Sequence, residues 1–121
     1  KMLALMRAVT KIGTAKISMK DIEQQVACKT GTSDGPRDVS IWCGTPELVI
    51  AVRFGIDDYR VIEIPEYMRK MSGRADMQVS GGWVGGSWVR KVVDLYYKDR
   101  QKVSFAPKVE SELGRLLSNP Q

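Results

Sequence analysis

The sequence predicts an α+β fold, a three-stranded antiparallel meander flanked by helices. Three observations carry this expectation. An apolar helical repeat opens the chain, three β-rich runs follow with two short turn-forming stretches between them, and a second helical repeat comes after. Two tight connections in succession join antiparallel neighbours. Helices before and after a sheet pack on its faces.

Met2, Leu5, Met6, Val9 and Ile12 recur at i, i+3, i+4 and i+7 spacing. They predict a helix that ends near Gly13 and turns this stripe to the core. Residues 14–25 read as a polar connection. Residues 26–32 (V-A-C-K-T-G-T) read as the first strand, and 33–38 (S-D-G-P-R-D) are dense in turn formers. Residues 39–43 and 48–54 read as the second and third strands, with Gly44-Thr45-Pro46-Glu47 as the turn between them. The third strand is apolar without alternation, as expected of a strand covered on both faces. At an open edge it would expose unpaired N–H and C=O groups, so it asks for a further neighbour.

Residues 61–64 fit a short strand or an extended loop, and 65–71 fit a short helix opened by Pro65. Gly81-Gly82 and Gly85-Gly86 precede the second helical repeat, in which Trp88, Val89, Val92, Val93, Tyr96 and Tyr97 are expected to face the core. A weaker amphipathic run, Val109, Leu113, Leu116 and Leu117, predicts a short helix in the tail.

Composition narrows the function classes. The 121 residues fit one small domain or a piece of a larger one. The net charge of +5 comes from scattered basic residues, with no run of five and no nucleic-acid-binding signature. No apolar stretch is long enough to span a bilayer, and the first residues lack a signal-peptide pattern. A chain that begins at Lys1 reads as a fragment. With no histidine and two cysteines, the usual zinc sites are not expected, and no metal or other cofactor is called for.

Chemistry concentrates at Lys29. In a strand, Lys29 and Gly31 point to one face, Thr30 and Thr32 to the other. Gly31 lets a ligand approach the backbone. The lysine offers a charge on a long stem. Hydroxyls and strand N–H groups add donors for a carboxylate, and an N–H can stabilise an oxyanion. The tripeptide alone fits a surface edge strand equally well.

Its neighbours extend the pattern. Lys29-Thr30-Gly31-Thr32-Ser33, Arg37-Asp38, Thr45-Pro46-Glu47-Leu48-Val49, Val52 and Gly55 together resemble the C-terminal part of a penicillin-binding protein transpeptidase domain. Met6-Arg7-Ala8-Val9 with Gly13-Thr14-Ala15 is similar to the helix and Gly-Thr-Ala that precede the motif in that family, and Ser80-Gly81-Gly82 resembles the Thr-Gly-Gly that opens its last helix. The resemblance covers residues 2–97 in one order and is nearest the bifunctional class A enzymes. It divides the chain into 1–97, the C-terminal part of a transpeptidase domain, and 98–121, a C-terminal extension.

The resemblance implies a β-lactamase/transpeptidase-like domain and an acyl-serine enzyme acting on peptidoglycan stem peptides and acylated by β-lactam antibiotics. Lys29 and Thr32 take catalytic roles: Lys29 supplies positive potential and tunes the proton shuttle, and the Thr32 N–H completes an oxyanion hole. Thr30, Gly31, Thr32 and Ser33 bind substrate. The family site also needs Ser-x-x-Lys and Ser-x-Asn. No serine here has a lysine three positions on, and neither Ser33-Asp34-Gly35 nor Ser118-Asn119 is Ser-x-Asn. The nucleophile is therefore expected in a missing N-terminal part, and this chain is expected to be inactive alone. It should hold three strands of a five-stranded sheet. Such a protein lies outside the cytoplasm, with its full-length form anchored in the cytoplasmic membrane. A β-lactamase or DD-carboxypeptidase fragment, or a non-catalytic module of the same fold, stays open as an alternative. Thr45 to Val49 and the Gly-Thr-Ala approach favour the transpeptidase.

The sequence departs from the family at Cys28 (usually Gly), at Ser40-Ile41 (usually aromatic) and at Cys43-Gly44 (usually Gly-aromatic). With Ser33 opposite Asp38, Cys28 falls opposite Cys43. A cross-strand disulfide is open in an oxidising compartment, but the narrow geometry makes two reduced, packed cysteines the expectation.

Overall fold

The computed structural model describes residues 1–58, 60–72 and 79–118. The expected extension therefore ends in residues 119–121, outside the described set. The elements are α1 (Met2–Lys11), β1 (Ala27–Thr32), β2 (Asp38–Gly44), β3 (Val49–Gly55), α2 (Glu66–Ser72), α3 (Gly81–Val84), α4 (Gly86–Tyr96) and α5 (Pro107–Ser118). The sheet has three antiparallel strands in the order β1-β2-β3. The fold is thus α+β, with helices flanking the meander. Residues 61–64 form no strand.

The core lies between the sheet and the helices. Cys28, Ile41 and Cys43 project from the sheet into a cluster with Ala15, Met19, Val26, Val89, Val93 and Tyr97. Ala15 and Met19 belong to the 14–25 connection, so that polar stretch contributes apolar residues to the centre. On the opposite face of the sheet Lys29, Trp42, Ala51 and Arg53 are exposed. The expectation that β3 is covered on both faces is corrected. Its burial alternates, with Ile50, Val52 and Phe54 half-buried and Val49, Ala51, Arg53 and Gly55 exposed. Among the described residues no second layer covers the outer face.

Helix α1 overturns a second expectation. Ala4, Arg7 and Thr10 are its buried residues, whereas Met2 is 71% and Ile12 63% exposed. Leu5 is exposed as well, so the apolar stripe faces outward. The cause is polar anchoring. Arg7 Nη1 donates to Val26 O at 3.0 Å, and the Thr10 hydroxyl donates to Arg7 O at 2.7 Å and reaches Val26 O at 3.3 Å. The guanidinium also grips Glu110 of α5 through Nε–Oε1 at 2.8 Å and Nη2–Oε2 at 3.2 Å. A buried guanidinium demands such partners, and meeting that demand fixes which face turns inward.

The tail helix expected from the sequence is α5, opened by Pro107 and resting on α1. Two glutamines hold the segment that leads to it. Buried Gln24 accepts from Val103 N–H at 3.0 Å and donates to Val103 O, and Gln25 Oε1 accepts from Phe105 N–H at 2.8 Å. Glu110→Ala should cost about 2 kcal/mol in urea unfolding, because it strands the buried Arg7 charge. The loss stays below that of a fully buried pair, since the Glu110 side chain is 34% exposed.

The double glycines do not simply precede a helix. Gly81 and Gly82 lie in α3, capped by the Ser80 side chain, and Gly86 begins α4. A Cβ on Gly81 would stand 1.8 Å from Ser40 O, and one on Gly82 2.3 Å from Thr14 O. Only glycine allows α3 to lie directly on the backbones of the sheet and the 14–25 connection. Along α4 the expected core set is divided. Val89, Val93 and Tyr97 are buried and Tyr96 half-buried, while Trp88 and Val92 face solvent.

The cysteines also correct the sequence expectation. Cys28 and Cys43 are register partners with Cα atoms 4.1 Å apart, and they form a disulfide. They fall on a pair that exchanges no ladder hydrogen bonds, where opposed side chains come closest. Both sulfurs belong to the buried cluster.

Candidate functional site

β1 brings the residues singled out in the sequence to one open edge. Ser33 N–H donates to Asp38 O at 2.9 Å, which continues the β1–β2 register. The ladder bonds of this pair therefore fall on Lys29, Gly31 and Ser33. By alternation Cys28, Thr30 and Thr32 direct their N–H and C=O groups away from β2, off the edge. The Thr32 N–H thus stands where an added group could accept it, and the Thr32 side chain is exposed.

Lys29 is exposed, and its ammonium folds over this edge to donate to Thr30 O. The charge therefore sits beside the same row of groups. Gly31 lies opposite Ser40, and a Cβ there would meet Ser40 Oγ at 2.8 Å. The glycine leaves room above the edge backbone.

Thr30 and Ser33 are engaged within the fold. The Thr30 hydroxyl shares a 2.8 Å hydrogen bond with that of Thr14. Ser33 Oγ accepts from Asp38 N–H at 2.9 Å and Arg37 N–H at 3.2 Å, which closes the β1–β2 turn. Of the residues expected to bind substrate, Thr32 and Lys29 present groups at the edge, Gly31 gives clearance, and Thr30 and Ser33 shape the strand. Thr14 is the participant that the sequence marked only as part of a motif. Its signal was the Gly-Thr-Ala following α1.

At the far end of the sheet, the Thr45-Pro46-Glu47-Leu48 turn is fixed by one hydroxyl. Thr45 Oγ1 accepts from Leu48 N–H at 3.0 Å and Glu47 N–H at 3.2 Å. Tyr97 Oη lies 2.8 Å from Thr45 Oγ1 and donates to Glu47 Oε2 at 3.2 Å. Burial pushes the Tyr97 phenol above its usual value; the Thr45 bond opposes this and the Glu47 carboxylate adds to it. The folded value lies above the unfolded one of about 10, so this contribution is complete below about pH 10 and lost as pH rises through the folded value. Thermal unfolding between neutral and strongly alkaline pH should therefore show a fall that Tyr97→Phe reduces.

The larger hollows lie elsewhere. A groove of about 460 Å³ is lined by Ile17, Ser18, Phe54, Trp83, Val84, Ser87 and Trp88. A second, of about 250 Å³, lies beside Arg90, Asp94 and Tyr97. Neither includes Lys29 or Thr32, so the β1 edge is one wall of a cleft whose other wall is not formed by the described residues. No protein-family description, curated protein or solved structure matches this chain.

Proposed function

We propose that this chain is the C-terminal portion of a peptidoglycan D,D-transpeptidase of the penicillin-binding kind, and that β1 forms the Lys-Thr-Gly wall of its acyl-serine site. The observation that carries the reading is the placement of Lys29-Thr30-Gly31-Thr32 on an open strand edge, with the Thr32 N–H directed outward. In the reaction, a serine Oγ from the remainder of the domain attacks the D-Ala-D-Ala carbonyl. Terminal D-alanine leaves, and an amine of a neighbouring stem takes the acyl group. The Thr32 N–H stabilises the oxyanion, and the Lys29 ammonium with the Thr32 hydroxyl holds the terminal carboxylate.

Two further features support the reading. The outward stripe of α1, Met2, Leu5 and Ile12, is suited to contact with a larger apolar body. The Cys28–Cys43 disulfide fits a protein that matures outside the cytoplasm.

A fluorescent penicillin tests the proposal. The 121-residue chain alone should remain unlabelled. Joined to the segment encoded upstream, it should label covalently, and Lys29→Ala should slow labelling about ten- to a hundredfold. Labelling of the isolated chain would overturn the reading. So would an upstream segment without Ser-x-x-Lys and Ser-x-Asn.

A further inference from the structure

The far edge of the sheet carries its own binding chemistry. Thr45 N–H donates to Leu48 O at 2.8 Å and Ile56 N–H to Arg37 O at 3.2 Å, which fixes the phase of the β2–β3 ladder. Ile50, Val52 and Phe54 bond to β2, so Val49, Ala51, Arg53 and Gly55 direct their backbone donors and acceptors outward. Seven residues are presented in register. The usual protections of an edge are missing: β3 contains no proline and no lysine, and its one charge, Arg53, is held by Asp38 at 2.5 Å. An alternating row of N–H and C=O groups is complemented fully by another extended strand and by little else.

We infer that β3 pairs with the β3 of a second copy, antiparallel about a two-fold axis through Val52. This inference does not require the acyl-transfer reading. The strand is self-complementary in that register. Val49 meets the copy's Gly55, and Ala51 meets its Arg53, so no like charges stand opposite each other. On the helix side Ile50 meets Phe54 and Val52 meets Val52, so the half-buried apolar row continues across the junction. The contact closes on itself, which gives a dimer with a continuous six-stranded sheet rather than a fibre. In a longer chain, a strand from the remainder would compete for the same edge.

Sedimentation equilibrium on the 121-residue chain tests this, with variants at one exposed position. Ala51→Pro removes an outward N–H that β2 does not use. It should weaken the dimer about twentyfold through two lost bonds per dimer. Ala51→Lys sets a lysine opposite the copy's Arg53 and should also weaken it, whereas Ala51→Glu sets a carboxylate there and should retain or tighten it. Unchanged circular dichroism confirms that each variant is folded. A monomeric wild-type chain at 100 micromolar (a concentration of roughly this order reveals weak association) would overturn the inference. A dimer indifferent to all three substitutions, or equally weakened by Lys and Glu, would overturn the register.

Discussion

Gly81→Ala is expected to destabilise the fold by about 3 kcal/mol or more, the range of severe overpacking. The added methyl would stand 1.8 Å from Ser40 O and 3.1 Å from Gly31 O, both backbone atoms of the sheet. A crowded side chain can rotate away, but these carbonyls are tied into the β1–β2 pair. Relief requires α3 to lift, and Gly82 and Gly85 lift with it from Thr14 O and Ile41 Cγ2. Gly114 of α5 supplies the contrast, because nothing lies within 4 Å of a Cβ placed there. Gly114→Ala should gain about 0.5–1 kcal/mol from helix propensity alone. Urea unfolding of both variants beside the wild type separates crowding from a general effect of replacing glycine.

Opening the Cys28–Cys43 bond is expected to cost about 3 kcal/mol, the entropy released to the unfolded chain by a loop of its 15-residue separation. The comparison is the oxidised chain against Cys28→Ala/Cys43→Ala, with the wild type unfolded in reductant as a second reference. The double variant also leaves a small void in the cluster around Ile41 and Tyr97, which adds to the loss. Equal unfolding midpoints for oxidised and substituted chains would show that the bond contributes nothing. Both sulfurs are buried, so alkylation of the folded protein should be slow even with reductant, and rapid once urea opens the sheet.

The meander was legible because its signals are local. Turn formers at 33–38 and 44–47 and the β-rich runs between them place all three strands to within one residue. The opposition of Cys28 and Cys43 followed from the same register. Bond formation did not, because it depends on how closely this particular pair approaches. The inward face of α1 was misread for a physical reason. A hydrophobic stripe predicts burial only when apolar contact decides the docking, and here a single arginine with two partners, Val26 O and Glu110, decides it. Glu110 lies 103 residues away, and nothing near Arg7 announces it. The glycines of α3 were visible, but their reason was not, since the atoms they avoid belong to Ser40 and Thr14. At the candidate site the motif marked the strand correctly. The division of labour within it, Thr30 toward Thr14 and Ser33 into its own turn, required the tertiary arrangement.

The position of the disulfide makes the sheet unequal in firmness. It ties β1 to β2 beneath the helices, while β3 is joined to β2 by its ladder and half-buried row alone. Local opening therefore has a preferred direction. Amide protons of β2 that bond to β3 lie on the side that frays first, and those shared with β1 exchange only when a covalently closed hairpin gives way. The strand that carries Lys29 is thereby clamped at its base, so the edge that presents Thr32 stays in place while the opposite margin of the molecule breathes.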